Sequence, residues 1–324
     1  MTRSPLRGAP HAVGWAVAGA LVAVAAVRLW RSDSVPTLIG IQGVAAWALL
    51  PAYPLAVVAL VRRRRALGGV ASVLSAVQLV LALGAVGWGG PQTLPATDLP
   101  VRVVSANVLL VNPQVARLGD ELAAEGADVV VLQEVTDEVL AELERSALWT
   151  DYPYRATAPE PFYQGAATFS KFPITHSEKI LLAGHPMLLT DLATPAGPLR
   201  VVNVHTVAPL TRTDARAWAD QLQALADLVQ DSPSPTVLAG DFNATLDHAP
   251  LAALASGDVR DAFRVAGSGF GATWPRWEGL VPPLMRLDHV LVGPGVDVAS
   301  VTERTSLGSD HRRIVVDLGL PTLS

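Results

Sequence analysis

The chain has no cysteine. Disulfide scaffolds and thiolate-held metals are therefore excluded, as is a zinc site built from a His/Cys cluster. The absence leaves the compartment open and removes one redox liability outside the cytoplasm. Charge is also sparse, at 16% of residues, while half of the chain is apolar. It is unevenly spread. Residues 1–99 contain no lysine and only two acids, Asp33 and Asp98, beside eight arginines, for a net +6. The remainder carries 16 basic and 27 acidic residues, net −11, and the two parts sum to the −5 of the whole. Such a contrast marks two pieces that meet different solvents. No internal repeat or low-complexity run stands out, and 324 residues suit about two domains.

What the front has is apolar length. Three stretches stand out: Ala12–Val27 (reaching Trp30 if Arg28 snorkels), Leu38–Val61 and Ala66–Trp88. A bilayer span takes roughly 20 mostly apolar residues. They predict transmembrane helices at about 12–30, 38–61 and 66–88 within a membrane region 1–90. A cleaved signal peptide is the competing reading of the first. Pro51 and Pro54 should kink the second, and Trp30 and Trp88 suit interfacial positions. Arg62-Arg63-Arg64-Arg65 lies between the second and third stretches. By the positive-inside rule that loop and the N-terminus should be cytoplasmic, and residues from about 91 onward should emerge on the extracytoplasmic side of a multi-pass cell-membrane protein. Pro91, Pro95 and Pro100 make 91–100 a stiff linker. Its extended reach keeps the start of the C-terminal domain within about 35 Å of the last span.

Residues 101–324 alternate strand and helix patterns. Helices are expected over Pro113–Glu125, Thr136–Ala147, Thr213–Gln230 and Ala249–Gly257; in the third, positions 218, 222, 225 and 229 recur at helical spacing. Strands Leu188–Leu192 and Leu199–Val204 flank Thr194-Pro195-Ala196-Gly197-Pro198, a hairpin connection. Mixed order with hairpins argues for an α/β (α+β) domain of sheets packed on each other with helices outside.

Chemistry-bearing residues gather at strand ends. Val101–Ala106 leads into Asn107, Asp128–Gln133 into Glu134, Leu199–Val204 into His205, and Thr236–Gly240 into Asp241 and Asn243; Ser309-Asp310-His311 precedes Ile314-Val315-Val316. Strand ends are fixed points, so carboxylates, an amide and imidazoles placed there can converge without a mobile loop. Gly240-Asp241-Phe242-Asn243 by itself is equally an Asp/Asn turn. Glu134, after a wholly apolar run, is costly to desolvate unless paired or bound to a cation. Hard oxygen donors of this kind suit Mg²⁺. Arg286-Leu287-Asp288-His289 leads another strand; Asp288 could hold His311 in one tautomer, and His311 could serve as base or phosphate donor. His205 is a second donor candidate. His289 points to the opposite strand face from Asp288.

Taken in order, these motifs resemble the DNase I-like endonuclease/exonuclease/phosphatase superfamily. The similarity runs over 101–319: Asn107, Leu132-Gln133-Glu134, Gly165–Ile174, Asn203-Val204-His205, Gly240-Asp241-Phe242-Asn243, Thr273-Trp274, Arg286–Val290 and Ser309-Asp310-His311. No motif position is missing. The resemblance implies a four-layer αββα sandwich, here preceded by a transmembrane helical region. It implies a divalent metal, Mg²⁺ with Mn²⁺ as alternative, bound by Glu134 with Asn107 and Asp310 nearby. Asp241 and Asn243 would position or activate the attacking water, Asp288 would orient His311, and His205 and His311 would contact the scissile phosphate. Whether Asp241 or His311 takes the water's proton stays open.

The substrate is less legible. A nuclease needs a basic track. Here the basic residues are scattered: Arg212 and Arg216 near His205 are substrate-binding candidates, and Arg312-Arg313 follows His311. Their alternative is solvated surface. Trp274, Trp277 and Leu280 could dip into a membrane interface or simply pack in a loop. The expectation is a membrane-anchored phosphodiesterase or phosphatase attacking phosphorus in line with water, on a lipid headgroup, small phosphodiester or nucleic acid. Its partners would be that substrate and the bilayer, with no protein partner. The alternatives are an extracytoplasmic nuclease and an inert headgroup-binding membrane module.

Overall fold

The structure is a computed structural model that describes residues 9–276 and 282–322. The chain forms two compact units, Met1–Val86 with Asp247–Ala249, and Gly87–Leu246 with Pro250–Ser324. In the first, helices span Ala9–Trp30, Pro36–Ala48, Ala52–Val61 and Arg65–Ala85. Two of them, over His11–Trp30 and Arg65–Ala85, are long and apolar enough to cross a membrane. The expected span 38–61 is broken instead into two helices bent by 52° at Leu49–Pro51, and counts as a third only if the pair is one span. Pro51, which caps the second piece, lacks the N–H that would continue the ladder. Ala18, Leu21, Leu49, Ala52, Leu67 and Leu74 bury the helices' shared faces.

Two expectations for the junction differ from the structure. The third apolar helix stops at Ala85, and Trp88 lies not at a helix end but in a short strand, Gly87–Trp88, paired antiparallel with Ser268–Gly269. The close approach needs glycine, since a Cβ on Gly87 would sit 2.6 Å from the Gly267 carbonyl oxygen. Nor is 91–100 free: Gln92 N–H donates to Ala299 O at 2.7 Å, and a strand already begins at Asp98. Trp277 and Leu280 lie outside the described residues.

The second unit is built on two six-stranded sheets. One runs Arg260–Asp261, Asp288–Val292, Thr236–Asp241, Gly197–His205, His185–Thr194, Ile174–Leu182. The other runs Asp297–Thr305, Arg312–Pro321, Asp98–Asn107, Val129–Gln133, Ala166–Ser170, Tyr154–Ala158. Each has one parallel pair at its centre, 98–107 with 129–133 and 197–205 with 236–241. Strand alternation sorts the side chains. Val101, Val103, Val129 and Val131 face inward with Leu199, Val201, Val237, Val290 and Val316 in the core between the sheets. Val104, Val130 and Leu132 face outward under Leu118, Leu122 and Leu143 of helices Val115–Ala124 and Asp137–Leu143. Helix Arg212–Gln230 starts with a Thr211/Asp214 capping box and buries Trp218, Leu222, Leu225 and Val229. This is the expected mixed α/β, DNase I-like sandwich. Its central strand ends, Asn107 opposite Gln133 and His205 opposite Asp241, mark one pole of the unit.

Candidate active site

At that pole the backbone is bent to present carboxylates. Glu134, just past its strand, has φ 63°, and Asn243 has φ 46°. Left-handed backbone in non-glycine residues costs of order 1–3 kcal/mol and tends to sit at functional sites. Gly240, at φ 153°, brings its strand against Val204, whose carbonyl oxygen would lie 1.8 Å from a Cβ. That approach sets Asp241 beside His205. Below it, Gln133 Nε2–H donates to Asn203 Oδ1 at 2.7 Å, a buried polar tie between the sheets. Gln133 and Asn203 belong to the conspicuous motifs, but their role depends on the opposite sheet.

The expected site residues gather in two linked groups. Asn107 Nδ2–H donates to Glu134 Oε1 at 2.9 Å and to Asp241 Oδ2 at 3.2 Å. Its Oδ1 accepts from Leu109 N–H, while Glu134 Oε2 accepts from Leu110 N–H, both at 3.0 Å. Asn107 thus bridges the expected metal carboxylate and the expected water-positioning carboxylate. In the second group, His311 Nδ1–H donates to Asp288 Oδ2 at 2.8 Å. His205 Nε2 and His311 Nε2 each stand 3.7 Å from Asp241 Oδ2, flanking it from two sides. Burial alone would lower the His311 pKa; the Asp288 and Asp241 carboxylates outweigh it and push it up to about 10. Asn243 N–H donates to Asp241 Oδ1 at 2.9 Å, and Asn243 Nδ2–H donates to Thr206 O.

Among the described residues, Asp241, Asp288 and His311 are also a group whose spacing could hold a metal ion. The 2.8 Å Asp288–His311 contact is a hydrogen bond, so these three fit a proton-handling set at least as well. Glu134 offers hard oxygens, and the buried Asp288 Oδ1 has no hydrogen-bond partner; both fit a divalent cation or its water. Asp310 accepts from the Trp274 indole N–H at 3.0 Å, and the Trp274 ring lies 6.3 Å from that of His311. Trp274 is therefore part of the site's wall rather than a free interfacial side chain.

Other candidates are placed elsewhere. Arg212 and Arg216 are exposed on the first turns of the helix after His205. Arg313 is neither solvated nor in the site: it is buried and paired with Glu125 at 2.8 Å and Glu121 at 3.2 Å. Strand alternation turns it away from the pole's interior. His289 is buried on the opposite face from Asp288, its Nδ1 2.7 Å from Asp261 Oδ2, with Arg286 on the same carboxylate. Tyr163, absent from the expected set, brings its ring within 6.2 Å of His205. No local pattern marks it, because the loop meets the site only through the fold.

Paired sheets with acids and imidazoles at their shared pole define a DNase I-like fold. The sequence matches the Endonuclease/Exonuclease/phosphatase family over residues 104–311, and the chain belongs to that family. Solved structures with the same fold include an endonuclease/exonuclease/phosphatase from Beutenbergia cavernae, 22% identical with a TM-score of 0.56 over 68% of this chain and 72% of that one. A D. rerio TDP2 complexed with single-strand DNA product is 18% identical, TM-score 0.55, over 68% and 99%. The 3′ phosphatase NExo from Neisseria, bound to product DNA hairpin, is 18% identical, TM-score 0.55, over 67% and 98%. No curated protein matches this chain.

Proposed function

We propose that this protein is a membrane-anchored, divalent-metal-dependent phosphoester hydrolase acting by in-line attack of water on phosphorus. The observation that carries the reading is Asp241 Oδ2, flanked by His205 Nε2 and His311 Nε2 and tied through Asn107 to Glu134. In-line substitution needs positioning and charge neutralisation more than covalent chemistry. Asp241, braced by Asn243 N–H, would orient the attacking water and, with His311 protonated, take its proton. His311, steered by Asp288, and His205 donate to phosphoryl oxygens. Glu134 would hold the ion, Mg²⁺ by its preference for hard oxygens, with Asn107 and Asp310 alongside. A bound divalent ion supplies Lewis-acid neutralisation of the phosphoryl charge. Arg212 and Arg216, exposed on the first turns of the helix that follows His205, would meet the rest of an anionic substrate.

The two membrane-length helices and the arginine run 62–65 support a multi-pass membrane protein with a cytoplasmic N-terminus, membrane region 1–90 and extracytoplasmic catalytic domain. A reporter active only in the cytoplasm, fused after Ser324, should be silent; activity would sink this topology. For the chemistry, the full chain is reconstituted with Mg²⁺ and assayed against bis-p-nitrophenyl phosphate, DNA and phospholipid vesicles. Turnover abolished by Glu134→Ala and His311→Ala is expected. Absence of turnover on all three would favour an inert headgroup-binding module. The nuclease reading draws on the DNA-bound TDP2 and NExo structures, and turnover of DNA alone would establish it.

A further inference from the structure

We infer that the mouth of this active site is built to meet a lipid surface, so that its substrate is the headgroup phosphoester of an amphiphile held in a bilayer. The inference rests on the hydrolytic reading and names its substrate class. Five exposed large apolar side chains of the second unit stand at the catalytic pole: Val111, Phe162, Tyr163, Leu181 and Leu210, exposed by 71, 73, 45, 66 and 79%. Val111 lies on the turn after Asn107, next to Leu110, whose N–H donates to Glu134. Phe162 and Tyr163 precede strand Ala166–Ser170, with Tyr163 against His205. Leu210 is on the loop from His205 to helix Arg212–Gln230.

Leu181 is at the tip of the hairpin Ile174–Leu182/His185–Thr194, closed by the Leu182–His185 pair. Leu188 pairs with Asn203, so this tip projects past the His205 end of the neighbouring strand. Ala183 at φ 48° and Gly184 at φ 82° make the tight hairpin turn. Gln164 Nε2–H donates to His185 Nδ1, which joins the tip to the Phe162–Tyr163 loop. Phe162 itself is held at φ 62°, a strained conformation for a bulky residue, with its ring exposed. By contrast, Tyr154 pairs with Ser170 at the opposite end of its strands, and Trp88 and Phe270 lie on or beside the small Gly87–Trp88/Ser268–Gly269 sheet.

Charge decides what this rim fits. Segments 108–114, 161–165, 180–186 and 206–211 contain no Asp, Glu, Lys or Arg. Cations stand at their margins: Lys179, already paired with Glu160, and the exposed Arg212 and Arg216. A nucleic acid lying across the pole would find no continuous basic track there, although its affinity comes largely from phosphate neutralisation by Lys and Arg. A small soluble phosphoester has no use for clustered exposed apolar side chains, which ordinarily mark an interaction surface. Apolar loops around a phosphoester site suit the boundary where acyl chains give way to headgroups. The two membrane-length helices keep such lipids around every copy of the chain.

The absence of cysteine makes the test direct. Leu181→Cys, Leu210→Cys and Tyr154→Cys variants of the full chain each carry one label site for an environment-sensitive dye. They are reconstituted in phosphatidylcholine/phosphatidylglycerol vesicles with nitroxide-bearing lipids. Dyes at 181 and 210 should be blue-shifted and quenched, and the dye at 154 should not. Dyes at 181 and 210 that stay as unquenched as that at 154 overturn the inference. With Mg²⁺ in the same vesicles, a Leu181→Ser/Leu210→Ser variant should lower the ratio of phospholipid to bis-p-nitrophenyl phosphate turnover by about 10-fold. An unchanged ratio, or turnover of the soluble diester or DNA without phospholipid, overturns the lipid assignment while leaving the hydrolase reading intact. No turnover of any substrate sinks the hydrolase reading instead, and quenching alone then decides whether the rim meets lipid.

Discussion

Asp288 engages only one nitrogen of His311: Nδ1 donates to Asp288 Oδ2 at 2.8 Å, which leaves Nε2 turned toward Asp241 Oδ2 at 3.7 Å. The pairing orients the ring and fixes where its proton can go. The Asp288 backbone N–H, 3.3 Å from Thr273 Oγ1, anchors the start of the strand that carries the carboxylate. Replacing Asp288 by Asn should therefore lower kcat by about 10²–10⁴ with little change in KM, by analogy with other carboxylate-oriented imidazoles. Steady-state kinetics on bis-p-nitrophenyl phosphate check it; a kcat within two-fold of wild type would remove Asp288 from the mechanism.

Asn107 touches Glu134 rather than standing apart from it. Asn107→Ala should weaken Mg²⁺ binding by about 10–100-fold, the usual effect of losing a group that orients a ligating carboxylate. Calorimetric Mg²⁺ titration measures this independently of turnover. An unaltered affinity would show that Glu134 is positioned without the amide.

Gly240→Ala should prevent stable folding of the second unit. Its Cβ would fall 1.8 Å from Val204 O, with backbone also within 3 Å at Val204 C and N, and φ is 153°. Backbone cannot yield as a flexible side chain would, so the cost is at least about 3 kcal/mol. Thermal unfolding of the purified variant gives the answer.

Arg313 predicts a pure stability effect. Arg313→Ala leaves Glu125 buried beside Arg304 alone, and loss of one partner of a buried pair costs about 3–5 kcal/mol. The variant should melt earlier and keep its KM. A raised KM at unchanged stability would restore the substrate-binding role that its place after His311 invites.

Stability should be lost at both ends of the pH range. Burial would raise the Asp261 pKa, but Arg286 and His289 outweigh it and hold the carboxyl below its usual 3.8. Its stabilisation is present above 3.8 and fades as pH falls below that value. His311 has the opposite sign: raised from 6.5 to about 10, it contributes fully below 6.5 and loses that contribution as pH rises through 10. Denaturant titrations of the Mg²⁺-free protein across pH should show an acid limb flattened by Asp261→Asn and an alkaline limb flattened by His311→Gln.

Local pattern carried much of the fold. Val129-Val130-Val131 reads as a strand buried on both faces, and Trp218, Leu222, Leu225 and Val229 as one helix face, because hydrophobic periodicity is local information. Asn107, Glu134, His205, Asp241 and His311 were legible as strand-end residues, because each adjoins a short apolar run that reads as a strand. The bend at Leu49–Pro51 was legible too, because proline's missing N–H is a local property. The strand at Trp88 and the anchoring of Gln92 were not, since each depends on partners distant in sequence.

The sequence by itself determined which residues end the strands, and hence the family and the chemistry available to it. Tertiary structure decided which of those ends meet. Parallel pairing set His205 opposite Asp241, and antiparallel pairing set Asp288 opposite the same residue. Sheet packing tied Gln133 to Asn203, alternation took Arg313 out of the site, and the hairpin register carried Leu181 to its rim. The physical reason is that a side chain's type is a local property, whereas its neighbours, dielectric and exposure are set by strands that the chain brings together from far apart.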